Sequence, residues 1–389
     1  LRSRHLVPAL ATARARATAA DALPFVALVL AGAIATMAAS VAVTVRDGQE
    51  SASWSAVGAD VAATTVPDAG LQDVARTLEE RDDVAAAVAV AVAPQTQVRG
   101  EGFGRRVRLV VADPTDLARL TDAAPALPLP AELLAAPADG DADTNDLPRA
   151  LVSPDLADTV GSTLRVRDDD GEQPVLVVGT AVLGEGPTVV VGAAAGEGGA
   201  ERALGAEPDT VWVVGPGARA AVASTAALAG ADVVDRSALL AERRAGPLTK
   251  GLTGLVVGTI AVLLVLTVLV VVLTASATAP ARGAALARLR TLGLTGREVR
   301  AITTGELLPP ALLASGLAVG VGALVAAVCT APLGLRLLTH QDVEPALRLS
   351  WWGATPLVVA AATVAAVVAV ESSLRRRERL GEVLRVGGP

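Results

Sequence analysis

Tyrosine is absent from the 389 residues, and cysteine, lysine and methionine occur once each. With Cys329 alone, no intrachain disulfide can form, and cysteine usage says nothing about the redox compartment. Two histidines, His5 and His340, supply neither a zinc ligand set nor a histidine-based catalytic constellation. Lys250, the only lysine, follows no glycine-rich loop, and Gly-x-x-x-x-Gly-Lys-Ser/Thr occurs nowhere. The chain therefore offers no phosphate cradle of that kind. Charge is also missing from four long stretches. At 52% hydrophobic residues and mean hydropathy +0.52, the chain exceeds the roughly 45–50% apolar share of soluble domains. Membrane class is the expectation.

Leu23 to Val45 carries no charged residue, and a helix of that length, rising about 1.5 Å per residue, crosses a hydrocarbon core of about 30 Å. Leu252–Thr278, Leu307–Val328 and Ala354–Val370 are likewise uncharged, and the third runs on toward Arg336. Trp351 and Trp352 lengthen the fourth as an interfacial belt, or else lie in a loop. Lys and Arg near span ends stay on the cytoplasmic side. Segments 1–22, 279–305 and 371–389 hold four, five and five Arg, whereas residues 46–250 hold 17 basic and 32 acidic residues, 17 − 32 = −15. In the short loop 339–350, Arg348 stands against Asp342 and Glu344.

The expected organisation is an α-helical polytopic membrane protein with four transmembrane helices and an inserted α+β extracytoplasmic domain. Its parts are a cytoplasmic segment 1–22, spans 23–45, 251–278, 306–338 and 351–370, the outer domain 46–250, an inner loop 279–305, an outer loop 339–350 and a tail 371–389. Both termini are cytoplasmic in a multi-pass cell-membrane protein. A cleaved signal peptide fits the first span less well, because its apolar run exceeds the usual length of about 7 to 15 residues.

Within 46–250, Val107–Val111, Leu164–Arg167, Val175–Val178, Thr188–Val191 and Val211–Val214 predict strands, the second and third forming a hairpin about 168–173. Val84–Val92 is β-rich. Helices are expected over Pro67–Arg81, Thr115–Leu120 after the cap Asp113, Gly217–Leu228 and Ser237–Arg244. Loops are expected over 135–148 and 192–208, and at Gly100–Gly104 and Gly196–Gly199. The run Asp141–Asp146 opens like a calcium loop, but Asp146 stands where Gly is needed and Val152 where a bidentate Glu belongs. A solvated acidic loop is the reading, and Asp168–Asp170 reads as a turn. No metal, cofactor, catalytic group or nucleic-acid partner is expected.

In the inner loop, Leu286, Leu289 and Leu292 recur at helical spacing beside Arg288 and Arg290, and Gly293 offers a stop. A short basic amphipathic helix results, for which anionic lipid headgroups are one partner. Gly254-x-x-x-Gly258 and Gly316-x-x-x-Gly320 let helices approach closely, either within one chain or between subunits. Glu306 opens the third span, in an ion pair with Arg300 or a tail arginine, or in a proton relay.

Leu289-Arg290-Thr291-Leu292-Gly293-Leu294-Thr295, the following Arg297 and Arg300, Glu306, and the tail ending Leu380-Gly381-Glu382-Val383-Leu384-Arg385 resemble the FtsX-like permease family, which includes MacB-type exporters. Val57-Gly58-Ala59-Asp60, Val111-Ala112-Asp113-Pro114 and Pro247-Leu248 are similar to a MacB-type periplasmic core. The resemblance implies a non-catalytic ABC permease subunit, with ATP bound by a separate cytoplasmic ATPase. That ATPase docks on a coupling loop of Arg282, Leu286, Arg288, Leu289, Arg290, Leu292, Gly293, Arg297 and Arg300. It implies export or extraction of an amphipathic substrate, or mechanotransmission; the alternative is a regulatory protein whose outer domain activates a cell-wall hydrolase. Family members carry an acid eight positions before the loop glycine; Ala285 stands there, which shifts coupling onto Arg282, Arg288 and Arg290. A second permease unit is also implied, as a homodimer partner or, for a chain that begins at Leu1, as a fused upstream half.

Overall fold

A computed structural model describes residues 6–386 except 69, 101, 125, 128, 136–146, 169–170, 185, 193–206, 292–295, 330–338, 340–346 and 348–350. Two compact units emerge: one of 1–45, 250–334 and 346–389, the other of 46–249 and 335–345. The acidic run Asp141–Asp146 and Gly196–Gly199 lie outside the described residues, as do Asp169 and Asp170.

Among the described residues, four helices are long and apolar enough to cross a membrane: Pro24–Val57, Thr249–Ala277, Leu308–Cys329 and Trp351–Val370. They belong to α1 (Leu6–Val57), α6 (Pro247–Thr291), α7 (Gly296–Cys329), and a 3-10 turn Trp351–Ala354 leading into α8 (Thr355–Val386). These helices fit a membrane protein with an inserted domain. Leu255, Val262, Val265 and Leu273 of α6 are each more than half exposed. So large an apolar face is stable only against hydrocarbon or another apolar surface. α1 does not stop at Val45. Ala52, Ser53 and Trp54 are buried, so the helix gains packing contacts beyond its charged Arg46 and Asp47 and ends only at Gly58. There φ is +84°, and the Gly58 N–H donates to the Trp54 carbonyl at 2.8 Å, a left-handed glycine C-cap.

Among the described residues of the second unit, nine strands are joined through one long strand, β2 (Ala86–Gly100). β2 pairs through residues 86–90 with β8 (Thr210–Val214). β8 pairs with β1 (Val61–Thr64), and β1 with the edge strand β9 (Asp232–Asp235). Beyond residue 90, β2 pairs with β3 (Phe103–Ala112). From there the order β3, β7 (Thr188–Gly192), β4 (Arg149–Val152), β6 (Gly171–Thr180), β5 (Thr163–Asp168) returns to β2, closing a six-stranded ring. Closure leaves the ring without an unpaired edge. Val98, Val107, Val166, Val175 and Val189 alternate with outward residues and are buried in one cluster, as a two-residue side-chain period requires. Pro94 cannot donate to a ladder, and it falls in the register shift between Ala93 and Thr96, within the part of β2 that pairs with β3.

The strand prediction over Val84–Val92 therefore stops too early. The Gly100–Gly104 loop is corrected as well: Gly100 and Phe103 are paired at the tip of a hairpin, and Gly104 lies in β3. β1, β4 and β9, four residues each, have no separate counterpart among the predicted strands. Three helices pack on the four-stranded part: α2 (Leu71–Glu79), α3 (Pro114–Ala123) and α4 (Ala218–Ser224). Asp113 caps α3 by accepting from the Thr115 N–H at 2.7 Å. Glu79 of α2 accepts from Arg119 of α3 at 2.6 and 2.7 Å and from the Ala87 N–H of β2 at 3.2 Å. Glu79 and Asp116 together push the Arg119 guanidinium above its ordinary value.

Candidate functional site

The basic segment predicted as a short separate helix is the continuation of a span. Arg282, Leu286, Arg288, Leu289 and Arg290 all lie in α6, a 45-residue helix from Pro247 to Thr291. Residues 284–290, Ala-Ala-Leu-Ala-Arg-Leu-Arg, are strong helix formers. Extending an existing helix costs far less than nucleating a new one, so α6 has no reason to break there. Leu292 and Gly293 lie outside the described residues. Arg297, Arg300 and Glu306 lie on α7. At about 1.5 Å per residue α6 is about 68 Å long, more than twice a hydrocarbon core of about 30 Å.

Close packing in the bundle does not use the predicted glycines. A Cβ added at Gly254, Gly258, Gly316 or Gly320 meets nothing within 4 Å, so their packing role within one chain is corrected. Gly322 and Gly32 take that place. A Cβ at Gly322 would lie 2.5 Å from the Ala33 carbonyl oxygen, and one at Gly32 would lie 2.7 Å from the Ala318 Cβ. The reason is angular: Ala311, Ala314, Ser315, Ala318 and Ala326 are buried, and Gly322 continues their three-and-four spacing. Gly316 and Gly320 each lie about 200° around the helix from Ala314 and Ala318. Thr36 of α1 donates to the Gly353 carbonyl at 3.0 Å, and Leu28, Val271, Ala314 and Val364 join the four helices in one apolar cluster.

In the second unit, the incoming and outgoing ends of the chain meet. The Arg236 guanidinium lies 3.9 Å from the centroid of the Trp54 ring and donates to Asp60 Oδ1 at 2.8 and 3.1 Å. The other carboxylate oxygen of Asp60 accepts from the Gly215 N–H at 3.1 Å. Gly58 is required by a second aromatic, since a Cβ there would lie 2.8 Å from Trp212 Cζ2. Asp235 precedes Arg236 and caps α5 (Arg236–Ala245), accepting from the N–H groups of Ser237 and Ala238 at 2.8 and 3.2 Å. Burial acts to raise the Asp235 pKa, but the Ser237 hydroxyl, those two N–H groups and Arg219 outweigh it and hold it below its ordinary value of 3.8. None of this cluster was predicted as a site. Its signals in the sequence are the segment Val57-Gly58-Ala59-Asp60 and an isolated tryptophan just beyond an apolar span in a chain with four tryptophans.

No group of three or more metal-ligating side chains is found among the described residues.

Residues 257–379 match the family model described as FtsX-like permease C-terminal, a stretch that takes in most of α6, all of α7 and most of α8. No curated protein sequence matches the chain. Among solved structures, the extracellular domain of the noncanonic ABC-type transporter YknZ from Gram-positive bacteria is similar. It shows 16% identity and a TM-score of 0.28, covering 47% of this chain and 93% of that one. The periplasmic region of MacB from Actinobacillus actinomycetemcomitans is similar at 8% identity and a TM-score of 0.30, covering 49% and 95%.

Proposed function

We propose, proceeding from the match of residues 257–379 to the FtsX-like permease C-terminal model, that the chain is the permease subunit of an ABC-type machine. A separate cytoplasmic ATPase binds ATP and docks on the basic end of α6 and the start of α7. Four spans cross the cell membrane, with both termini and segment 279–305 on the cytoplasmic side and residues 46–250 outside. The arginine distribution supports that orientation. The carrying observation is the continuity of α6, because one rigid helix holds both an apolar span and the arginines proposed to meet the ATPase.

Movement requires the ATPase to favour one arrangement of the helices over another, since equal affinity for both shifts nothing. Leu286 and Leu289 are three apart and share a helix face, so they form the apolar part of the contact. Arg282, Arg288 and Arg290 supply its charge. The work is export or extraction of an amphipathic substrate, and a second permease unit completes the machine.

The test is co-purification of the cognate ATPase with Leu289→Asp and with Leu286→Asp, alongside efflux from membranes holding both proteins. Loss of the ATPase and of efflux, with unchanged membrane insertion, is expected. Undiminished ATPase capture by both variants contradicts the docking. ATPase capture together with hydrolase activation, and no efflux by the wild type, replaces export with regulation.

A further inference from the structure

The six-stranded ring carries positive charge on a domain of opposite sign. Residues 46–250 sum to 17 − 32 = −15, yet Arg99, Arg106, Arg165 and Arg167 occupy the adjacent strands β3, β2 and β5. Register sets them in two rows. In the first, Arg99 stands opposite Arg165. In the second, Gln97 stands opposite Arg106, and extending the pairing of Val98 with Val166 by one residue brings Gln97 beside Arg167. Val98, Val107 and Val166 are buried, while Gln97, Arg99, Arg106, Arg165 and Arg167 are exposed, as alternation demands.

Like charges directly opposite on neighbouring strands repel. Glu172 of β6 stands opposite Arg167 in register, but its carboxylate reaches into the first row and relieves that repulsion, 2.8 Å from Arg99 and 3.9 Å from Arg165. The second row has the same two guanidinium poles but an amide between them. Neither Arg106 nor Arg167 has an ion-pair partner among the described residues.

We propose that the second row is completed from outside: this face of β3, β2 and β5 docks an extended, carboxylate-rich segment of a partner protein. Successive rows are two residues apart along the strands, about 6.8 Å. Alternate side chains of an extended peptide have that same spacing and lie on one face. Glutamates at alternate positions therefore reach the Arg106–Arg167 row and the exposed flank of Arg165 together, and the guanidinium fork favours carboxylate oxygens. This face is independent of the permease assignment, and its test reads neither ATPase capture nor transport.

The test uses the full chain in nanodiscs of zwitterionic lipid and a fluorescent twelve-residue peptide of alternating Glu and Thr, followed by anisotropy. Arg106→Glu with Arg167→Glu should weaken binding by about tenfold or more, with Arg106→Gln intermediate. Arg76→Glu, half the charge change of the double variant and placed on α2, should alter it less than about twofold. Both rows are solvent-facing, so unfolding midpoints should not move. Equal weakening by Arg76→Glu reduces the effect to net charge and overturns the proposal, as does indifference to the double variant. Binding of linear polyphosphate without binding of the peptide also overturns it and assigns the face to a phosphate polymer.

Discussion

The Arg236 guanidinium sits over the ring of Trp54, 3.9 Å from its centroid, joining the end of α1 to the start of α5. Trp54 belongs to the chain entering the 46–249 unit and Arg236 to the chain about to leave it. Cation–π stacking and a forked ion pair thus hold the two ends at one place. Arg236 and Asp60 retain only 17% and 27% of their side-chain exposure, so their pairing is screened less than a surface pair.

Arg236→Ala leaves Asp60 without its guanidinium and uncovers Trp54. A loss of about 2 kcal/mol is expected. Arg236→Lys keeps the charge but not the planar fork, and should recover less than half of the loss. Tryptophan fluorescence during thermal unfolding of the detergent-solubilised chain reads both. A midpoint unchanged in Arg236→Ala removes the clamp from the account.

Acid weakens the cap of α5 in a defined direction. Because the folded-state pKa of Asp235 lies below its ordinary value of 3.8, its contribution is fully present above that value and is lost as pH falls through the lower folded pKa. Asp235→Asn, which keeps a capping oxygen but cannot titrate, should flatten the fall in stability below about pH 4. Its stability near pH 7 should drop by about 1 kcal/mol or less. An acid limb as steep as the wild type's assigns that limb to other carboxylates.

Gly322→Val and Gly316→Val differ by one backbone approach. At Gly322 the new Cβ meets the Ala33 carbonyl oxygen at 2.5 Å, and backbone cannot swing away as a side chain does. A cost of about 1–3 kcal/mol or failure to fold is expected. At Gly316 nothing lies within 4 Å, so packing within the chain is untouched. Monodispersity and thermal midpoint in detergent separate the two. If Gly316→Val folds normally yet loses self-association, that glycine serves a subunit interface.

Hairpins and caps are local matters, and they were legible. The hairpin β5–β6 follows from two apolar strands about a polar turn, and the start of α3 from Asp113 before Pro114. The four-residue strands β1, β4 and β9 were not legible, because four residues carry too little periodicity to separate strand from loop. Nor was the length of β2, which runs through Pro94 by virtue of a register shift that only its partner strand reveals. Nor was the continuation of α1 past the uncharged run that ends at Val45, since burial of Trp54, a tertiary contact, carries the helix on.

Apolar length, the arginine asymmetry of the flanking segments and the absence of a phosphate-binding loop were determined by the sequence alone, since hydropathy and charge act residue by residue. Which glycine a neighbouring helix touches, which strand closes the ring and which arginine covers Trp54 were decided by tertiary structure. Those are relations between residues far apart along the chain, from 54 with 236 to 33 with 322, and steric fit selects among many positions of the same composition.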